Sequence, residues 1–327
     1  MSAPLLPPLL EVRDLQTQFP SRGGIAKAVD GVSFDVKAGE IVGLVGESGS
    51  GKSVTGYSIL GLIDLPGRIA GGSVKFDGQE LIGMSRSGLR TLRGRRIAMV
   101  FQDPMSTLNP VLSVFDQMKL AMQAHGRPNL EEMRARGTAA LAKVGIPDPA
   151  RRLDAYPHEL SGGMRQRVAI AIAFLNEPAL VICDEPTTAL DVSIQAQILI
   201  EMRSLVRESG VSLIWISHDL ATVSVLASRL LVMYAGRLIE EGPTEELLRN
   251  PRHPYTQGLM DSLPSRAEPG RDLTQIPGST PSLTNLPPGC AFKARCGYAT
   301  SACDQAPARS ADGARAWRCH HPLGRAA

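Results

Sequence analysis

Residues 46–53 read Gly46-Glu47-Ser48-Gly49-Ser50-Gly51-Lys52-Ser53 and fit the pattern G-x-x-x-x-G-K-[ST]. Glycines at these places let the backbone wrap until several N–H groups face one anion. A helix opening at Lys52 would turn its positive end on the same anion. Lys52 can then reach the β- and γ-phosphates of a nucleotide, and the Ser53 hydroxyl can ligate Mg²⁺. A glycine-rich turn with no ligand is the plain alternative. The apolar run Ile41–Val45 before the loop and the helical stretch after it argue against that alternative.

A second constellation is Leu180-Val181-Ile182-Cys183-Asp184-Glu185, an apolar run closing on two carboxylates. At the end of a strand, Asp184 can hold Mg²⁺ through its water shell. Glu185, one residue on, can polarise a water that attacks the γ-phosphate. Alone, such a pair is usually a solvated strand end; beside a phosphate loop it gains meaning. Cys183 fits a small core residue better than a reactive thiol. In Leu160-Ser161-Gly162-Gly163-Met164-Arg165-Gln166-Arg167, Ser161 is a natural N-cap and the glycines permit close backbone approach. That makes a second anion site, or simply a capping turn.

The remaining cysteines, Cys290, Cys296, Cys303 and Cys319, crowd into the tail. In a reducing compartment such a group favours metal over disulfides. Four thiolates suit zinc or an iron–sulfur cluster, and free thiols are the bland reading. Zinc sites usually carry C-x₂₋₄-C pairs, which this spacing lacks, so a [4Fe–4S] cluster fits better than zinc. His320 and His321 are substitute ligands or part of a solvated terminus.

These groups need a scaffold. Strand-like runs at 9–19, Val29–Val36, Ile41–Val45, Ser73–Phe76, Ile97–Phe101, Ala179–Cys183 and Val211–Ile216 alternate with helical stretches. Lys52–Ile63, Asn129–Val144, Gly162–Leu175 and Ile194–Glu208 have helical spacing. Leu230–Tyr234 and Arg237–Glu241 form a hairpin about Ala235-Gly236. The expected fold is α/β with a largely parallel core sheet and a helical block at about 105–175. Prolines at 264, 269, 277, 281, 287 and 288 mark a linker or irregular extension.

Composition narrows the function. Hydrophobic residues make up 43% of 327, enough for a sizeable core. A net charge of +3 is too balanced to point to nucleic acid or an anionic membrane surface. No apolar run approaches the roughly 18–20 residues that span a bilayer, and the N-terminus lacks the charged start of a signal peptide. The expected location is the cytosol, with membrane contact only through a partner.

The order of these motifs resembles the ATP-binding-cassette family over about residues 9–262. It includes the loop 46–53, Gln102 in Val100–Pro104, the signature 160–167, Asp184-Glu185, Ala189-Leu190-Asp191 and His218 in Ser217-His218-Asp219. The resemblance implies a RecA-like P-loop ATPase core with an inserted α-helical subdomain and an antiparallel β portion. It implies that Gln102 senses the γ-phosphate and metal and links them to membrane subunits. It implies that His218 contacts the γ-phosphate and positions water, though His218 could be an ordinary strand-end cap. Asp191 would lie at a dimer seam. Phe19 would stack on adenine, with a core aromatic as the alternative. Ser161, Gly162 and Gly163 would meet ATP bound to a partner's phosphate loop. Met164 stands where the family's commonest signature has Gln.

Phe101–Pro110, His253–Leu259 and the cysteine tail, 263–327, resemble the dipeptide/oligopeptide importer ATPases. That branch implies a second related or identical ATPase, two membrane permeases and an extracytoplasmic peptide-binding protein. Its members with such a tail can carry a [4Fe–4S] cluster. Nickel and glutathione importers share the same segments. Soluble DNA-repair or chromosome ATPases of this family insert coiled coils between phosphate loop and signature, and none is visible here. Translation-type members carry two cassettes; this chain has one.

Overall fold

The computed structural model describes residues 7–188, 190–263 and 274–324, without the side chains of Met105 and Ser106. Ala189 and the linker prolines Pro264 and Pro269 lie outside the described residues. In chain order the elements are β1 (Leu10–Ser21), β2 (Gly24–Val36), β3 (Ile41–Val45), α1 (Lys52–Ile59), β4 (Arg68–Phe76), β5 (Gln79–Glu80), α2 (Arg86–Leu92) and β6 (Ile97–Val100). Next come α3 (Pro104–Thr107), α4 (Val114–Gln123), α5 (Leu130–Lys143), α6 (Pro149–Arg152), α7 (Gly162–Phe174), β7 (Leu180–Asp184) and α8 (Val192–Ser209). The chain closes with β8 (Ser212–Ser217), α9 (Leu220–Leu226), β9 (Arg229–Tyr234), β10 (Arg237–Pro243), α10 (Thr244–Arg249), α11 (Pro254–Asp261), β11 (Ser310–Asp312) and β12 (Arg315–Trp317). These fall into two compact units, one of Met1–Val36, Ile41–Gly83 and Ile216–Ala327, the other of Lys37–Glu40 and Met84–Trp215.

In the first unit, β1 pairs antiparallel with both β2 and β4. Leu10, Val12 and Leu15 of β1 are fully buried, as are Val29, Val32 and Val36 of β2. The alternation of apolar and polar residues slips by one where the ladder bulges between Val12 and Leu15, as an extra residue in one strand requires. A second set of strands runs β3 parallel to β9, then the hairpin to β10. Every residue of β3 after Ile41 is buried, which suits a strand covered on both faces.

The tail is less irregular than its prolines lead one to expect. β12 pairs with β10 through Glu240↔Trp317, and β11 folds back on β12. Trp317 and Ala316 are buried there. The tail thus extends the sheet of the first unit.

In the second unit, β6 and β7 run parallel with Val100 opposite Cys183, and β8 lies next to β7. Helices α3 to α7 occupy the stretch expected to be helical. Val114, Met118 and Met122 fall four apart on α4, and Met133, Gly137 and Leu141 do so on α5; all six are buried. That spacing puts each trio on one helix face. Ser113 and Asn129 start these helices by accepting the N–H groups of Asp116 and Glu132, the usual role of an N-cap side chain.

Candidate functional site

In the first unit, β3 delivers the chain to Gly46 and α1 carries it away from Lys52. Gly51 caps α1 with φ 102° and provides no side-chain cap bond. A Cβ there would collide with the Ala28 carbonyl oxygen. Having no side chain, Gly51 itself places no capping oxygen over the start of α1, an arrangement that suits an anion. The loop is braced from behind: Gly236 N–H donates to the Ser50 carbonyl at 2.9 Å, and the Thr55 hydroxyl donates to the Gly51 carbonyl at 2.9 Å.

Lys52 is 4% exposed. Its Nζ donates to the carbonyl oxygens of Gly46 at 2.8 Å and Glu47 at 3.0 Å. The ammonium is thus curled over the loop, where phosphate oxygens can replace neutral carbonyls with stronger charged acceptors. Ser48 and Gly49 are exposed at the tip and Ser50 is buried.

Glu47 departs from the expectation of a plain phosphate-loop residue. Its N–H donates to Tyr255 Oη at 2.8 Å. Its carboxylate accepts from Arg295 Nη1 at 2.7 Å, Arg295 Nη2 at 2.9 Å and Thr280 Oγ1 at 2.9 Å. Burial alone would raise the Glu47 pKa. The bonds from Arg295 and Thr280, with the charges of Arg295 and Lys52, outweigh burial and hold it below the usual value.

Phe19 is half-buried on β1 and lies beside Gly67, where a Cβ would strike its ring. His218 is exposed at the residue after β8. The next residue, Asp219, caps α9 by accepting the Ala221 N–H at 2.9 Å.

In the second unit, β7 is buried along its whole length and ends on Asp184, which is 0% exposed. Glu185 follows with φ 45°, a left-handed conformation that costs a side-chain-bearing residue on the order of 1 kcal/mol. Its Oε2 accepts from Thr188 Oγ1 at 3.1 Å, and Gln102 Nε2 approaches it at 3.4 Å. Gln102 comes from the segment just after β6, so it and Glu185 leave the same end of two parallel strands. Cys183 is fully buried, with its thiol pushed far up by burial and by Asp184, as an inert core residue should be.

Ser161 caps α7 by accepting the Met164 N–H at 3.3 Å. Ser161 and Gly162 are exposed while Gly163 is buried. A Cβ on Gly163 would stand 3.0 Å from the Ile194 side chain of α8. Asp191 caps α8 but makes no side-chain cap bond and is exposed.

In the tail, the Cys290 N–H donates to the Cys303 carbonyl at 2.9 Å. Burial raises the Cys290 and Cys296 thiols, and the charge of Cys303 adds to this in both. Cys319 is pushed up to about 11, by burial first and then by Cys290, Cys296 and Cys303. The four thiols therefore feel one another. Among the described residues, though, no three His, Cys, Asp or Glu side chains are arranged to hold a metal ion. His320 Nε2 lies 3.0 Å from the Gln305 carbonyl and His321 Nε2 2.8 Å from Thr300 Oγ1, so both rings are engaged elsewhere. No helix among the described residues is long and apolar enough to cross a membrane.

A strand–loop–helix phosphate cradle and a buried strand ending in Asp-Glu define a P-loop ATPase of the cassette type. The chain belongs to the ABC transporter family, in its oligopeptide/dipeptide branch. The family model described as "ABC transporter" matches residues 29–188, and that described as "Oligopeptide/dipeptide transporter, C-terminal region" matches residues 239–303. The dipeptide transport ATP-binding protein DppD of Escherichia coli (strain K12) is 47% identical over 318 residues, covering 96% of this chain and 97% of DppD. A putative peptide import ATP-binding protein of Brucella abortus (strain 2308) is 49% identical over 313 residues, 95% of this chain and 94% of that one. Among solved structures, the ATP-binding cassette MJ0796, a dimer in a post-hydrolysis state bound to ADP and Pi, superposes with a TM-score of 0.64. It is 27% identical and covers 72% of this chain and 98% of its own.

Proposed function

We propose that this chain hydrolyses ATP to power the import of di- and oligopeptides, working from the cytoplasmic face of the membrane. The observation that carries the substrate class is the match of its C-terminal region to the oligopeptide/dipeptide model, with relatives named for peptide import aligned over nearly their full length. Nickel or glutathione import, the other reading of the same segments, is not favoured by relatives named for peptide and dipeptide import.

The side chains divide the work by their chemistry. Lys52 and the loop N–H groups would hold the β- and γ-phosphates, with Phe19 against the base. Ser53, Gln102 and Asp184 offer the oxygen ligands that Mg²⁺ prefers, and the ion would neutralise phosphate charge. Glu185 accepts a proton from the attacking water, and His218 orients that water on the γ-phosphate. Ser161, Gly162 and Gly163 would serve the nucleotide of a second ATPase subunit, related or identical, with Asp191 at the seam. Two transmembrane permeases and an extracytoplasmic peptide-binding protein would complete the assembly.

Helices α3 to α7 correspond to the inserted subdomain of such cassettes, at about 105–175 within a nucleotide-binding domain of 9–262, and 263–327 is its C-terminal extension. In that extension, the four cysteines of one short tail are the candidate ligands of a [4Fe–4S] cluster, with zinc as the alternative. Among the described residues they do not form a ready ligand set. Iron and acid-labile sulfide below one-tenth equivalent in an anaerobic preparation would sink the cluster.

Uptake of labelled dipeptide, oligopeptide and nickel, in cells carrying only the Glu185→Gln chain, tests the main reading. Lost peptide uptake with nickel uptake intact is the expected result. Intact peptide uptake with loss of nickel would keep the ATPase and discard the substrate.

A further inference from the structure

Arg295 stands between Cys290 and Cys296 in the tail, far in sequence from the phosphate loop. Its guanidinium nevertheless grips Glu47 with two parallel bonds of 2.7 and 2.9 Å. This fork is the strong, directional mode that Arg alone supplies. The side chain of Arg295 is 6% exposed. It is held from other sides by the Pro277 carbonyl at 2.8 Å and Tyr234 Oη at 3.3 Å. Thr280 adds a third donor to the Glu47 carboxylate, and Tyr255 takes the Glu47 N–H. Phe292 packs edge-on against both tyrosines, with ring centroids 5.3 and 5.4 Å apart.

We infer that Arg295, Thr280 and Tyr255 are positioning residues for ATP binding, and that the tail acts by neutralising and fixing Glu47 in the phosphate loop. The electrostatic reason is direct. Glu47 is an anion inside a loop that must receive a more highly charged anion. Lys52 Nζ already rests 3.0 Å from the Glu47 carbonyl. Released from Arg295, the half-buried carboxylate would repel phosphate and compete for the Lys52 ammonium, whose charge already acts on it. Gripped by Arg295, it becomes half of a neutral pair turned towards the tail. The chain thus presets its loop with a residue that lies 248 positions from Glu47, outside the phosphate-loop pattern. The inference rests on the ATPase reading alone and is indifferent to which solute is imported.

The test uses the full-length chain and compares Arg295→Met, Glu47→Gln and the double variant, reading the ATP dissociation constant, KM and kcat. Glu47 is partly exposed, so loss of Arg295 should weaken ATP binding about tenfold, between the effects of exposed and buried pairs. KM should rise in step while kcat at saturating ATP stays within about twofold, because the effect lies in ground-state binding. Adding Glu47→Gln to Arg295→Met should restore most of the affinity, since it removes the stranded charge. A tail that merely unfolds would not be rescued by that change. An unaltered ATP affinity in Arg295→Met, a fall in kcat without a change in KM, or a double variant as weak as Arg295→Met would each overturn the inference.

Discussion

Thr188 Oγ1 donates a 3.1 Å hydrogen bond to Glu185 Oε2, the same oxygen that Gln102 Nε2 approaches at 3.4 Å. A carboxylate in a left-handed backbone position, just beyond a buried strand, is thereby steered from two sides. Both bonds are longer than a mature charged hydrogen bond, as is common before substrate tightens a site. Under the proposed mechanism this carboxylate takes the proton of the attacking water. Glu185→Gln keeps its size and loses that basicity. Steady-state ATP turnover should fall at least about 100-fold, within the usual range for a general base. ATP affinity should change little, because the residue is assigned to the attacking water. Turnover close to the wild-type rate would remove Glu185 from the reaction.

The phosphate loop gives a different kind of prediction. Gly51 needs φ 102°, and a Cβ there meets the Ala28 carbonyl oxygen. Gly51→Ala therefore suffers both an unfavourable backbone conformation and an overpacked contact, for a cost of about 3 kcal/mol. Chemical denaturation should show that loss, and nucleotide binding should fail with it, since relief of the clash must move the loop. A variant with unchanged midpoint and unchanged ATP affinity would mean the loop accommodates a side chain.

How far these features could be read beforehand follows from locality. The phosphate loop, the Asp-Glu strand end and the signature are short strings whose chemistry lies within ten residues. Their positions on strand ends and helix starts match expectation. The hairpin about Ala235-Gly236 was equally legible from its turn. The tail was not. Arg295 and Glu47 are 248 positions apart, and neither residue type announces the other. Tyr255 sat in a stretch read only as a mark of one family branch, yet it binds the loop backbone. For β11 and β12 a signal did exist: Gly313-Ala314 joins two short runs with glycine first in a two-residue turn, a hairpin cue that the weight of prolines upstream obscured.

The second unit has its own buried charge pair. Arg167 on α7 donates to Glu201 Oε1 on α8 at 2.7 Å and to the Val144 carbonyl, just past α5, at 2.8 Å. One guanidinium thus ties three helices. Burial pushes the Glu201 pKa up, and Arg167 offsets this only in part. Arg167→Met leaves a partly buried carboxylate alone and should destabilise the chain by about 3 kcal/mol in urea. Arg167→Met with Glu201→Leu should recover more than half of that loss, because no stranded charge remains. Strict additivity of the two substitutions would show that the ion pair contributes nothing.

His253 provides a pH handle in the first unit. The ring is fully buried, and its Nδ1 accepts the Tyr255 N–H at 3.0 Å. The proton of the neutral ring therefore sits on Nε2, and a second proton on Nδ1 would break the bond to Tyr255. Burial holds the pKa down at about 3, against 6.5 when exposed. The unfolded chain consequently binds a proton near neutrality that the folded chain refuses. Stability from His253 is complete above pH 6.5 and is lost as pH falls towards 3, reaching about 2 kcal/mol at pH 5. Glu240, whose carboxylate accepts the His253 backbone N–H at 2.8 Å, works in the other direction. Burial raises its pKa, so the stability it contributes is present at low pH and is lost as pH rises through that raised value. Comparing His253→Asn with the parent isolates the imidazole, since Glu240 stays in both and the Asn oxygen can accept the Tyr255 N–H. Urea midpoints at pH 7 and pH 5 should differ less in the variant than in the parent, by the equivalent of about 2 kcal/mol. Equal shifts in the two proteins would assign the acid sensitivity to other groups.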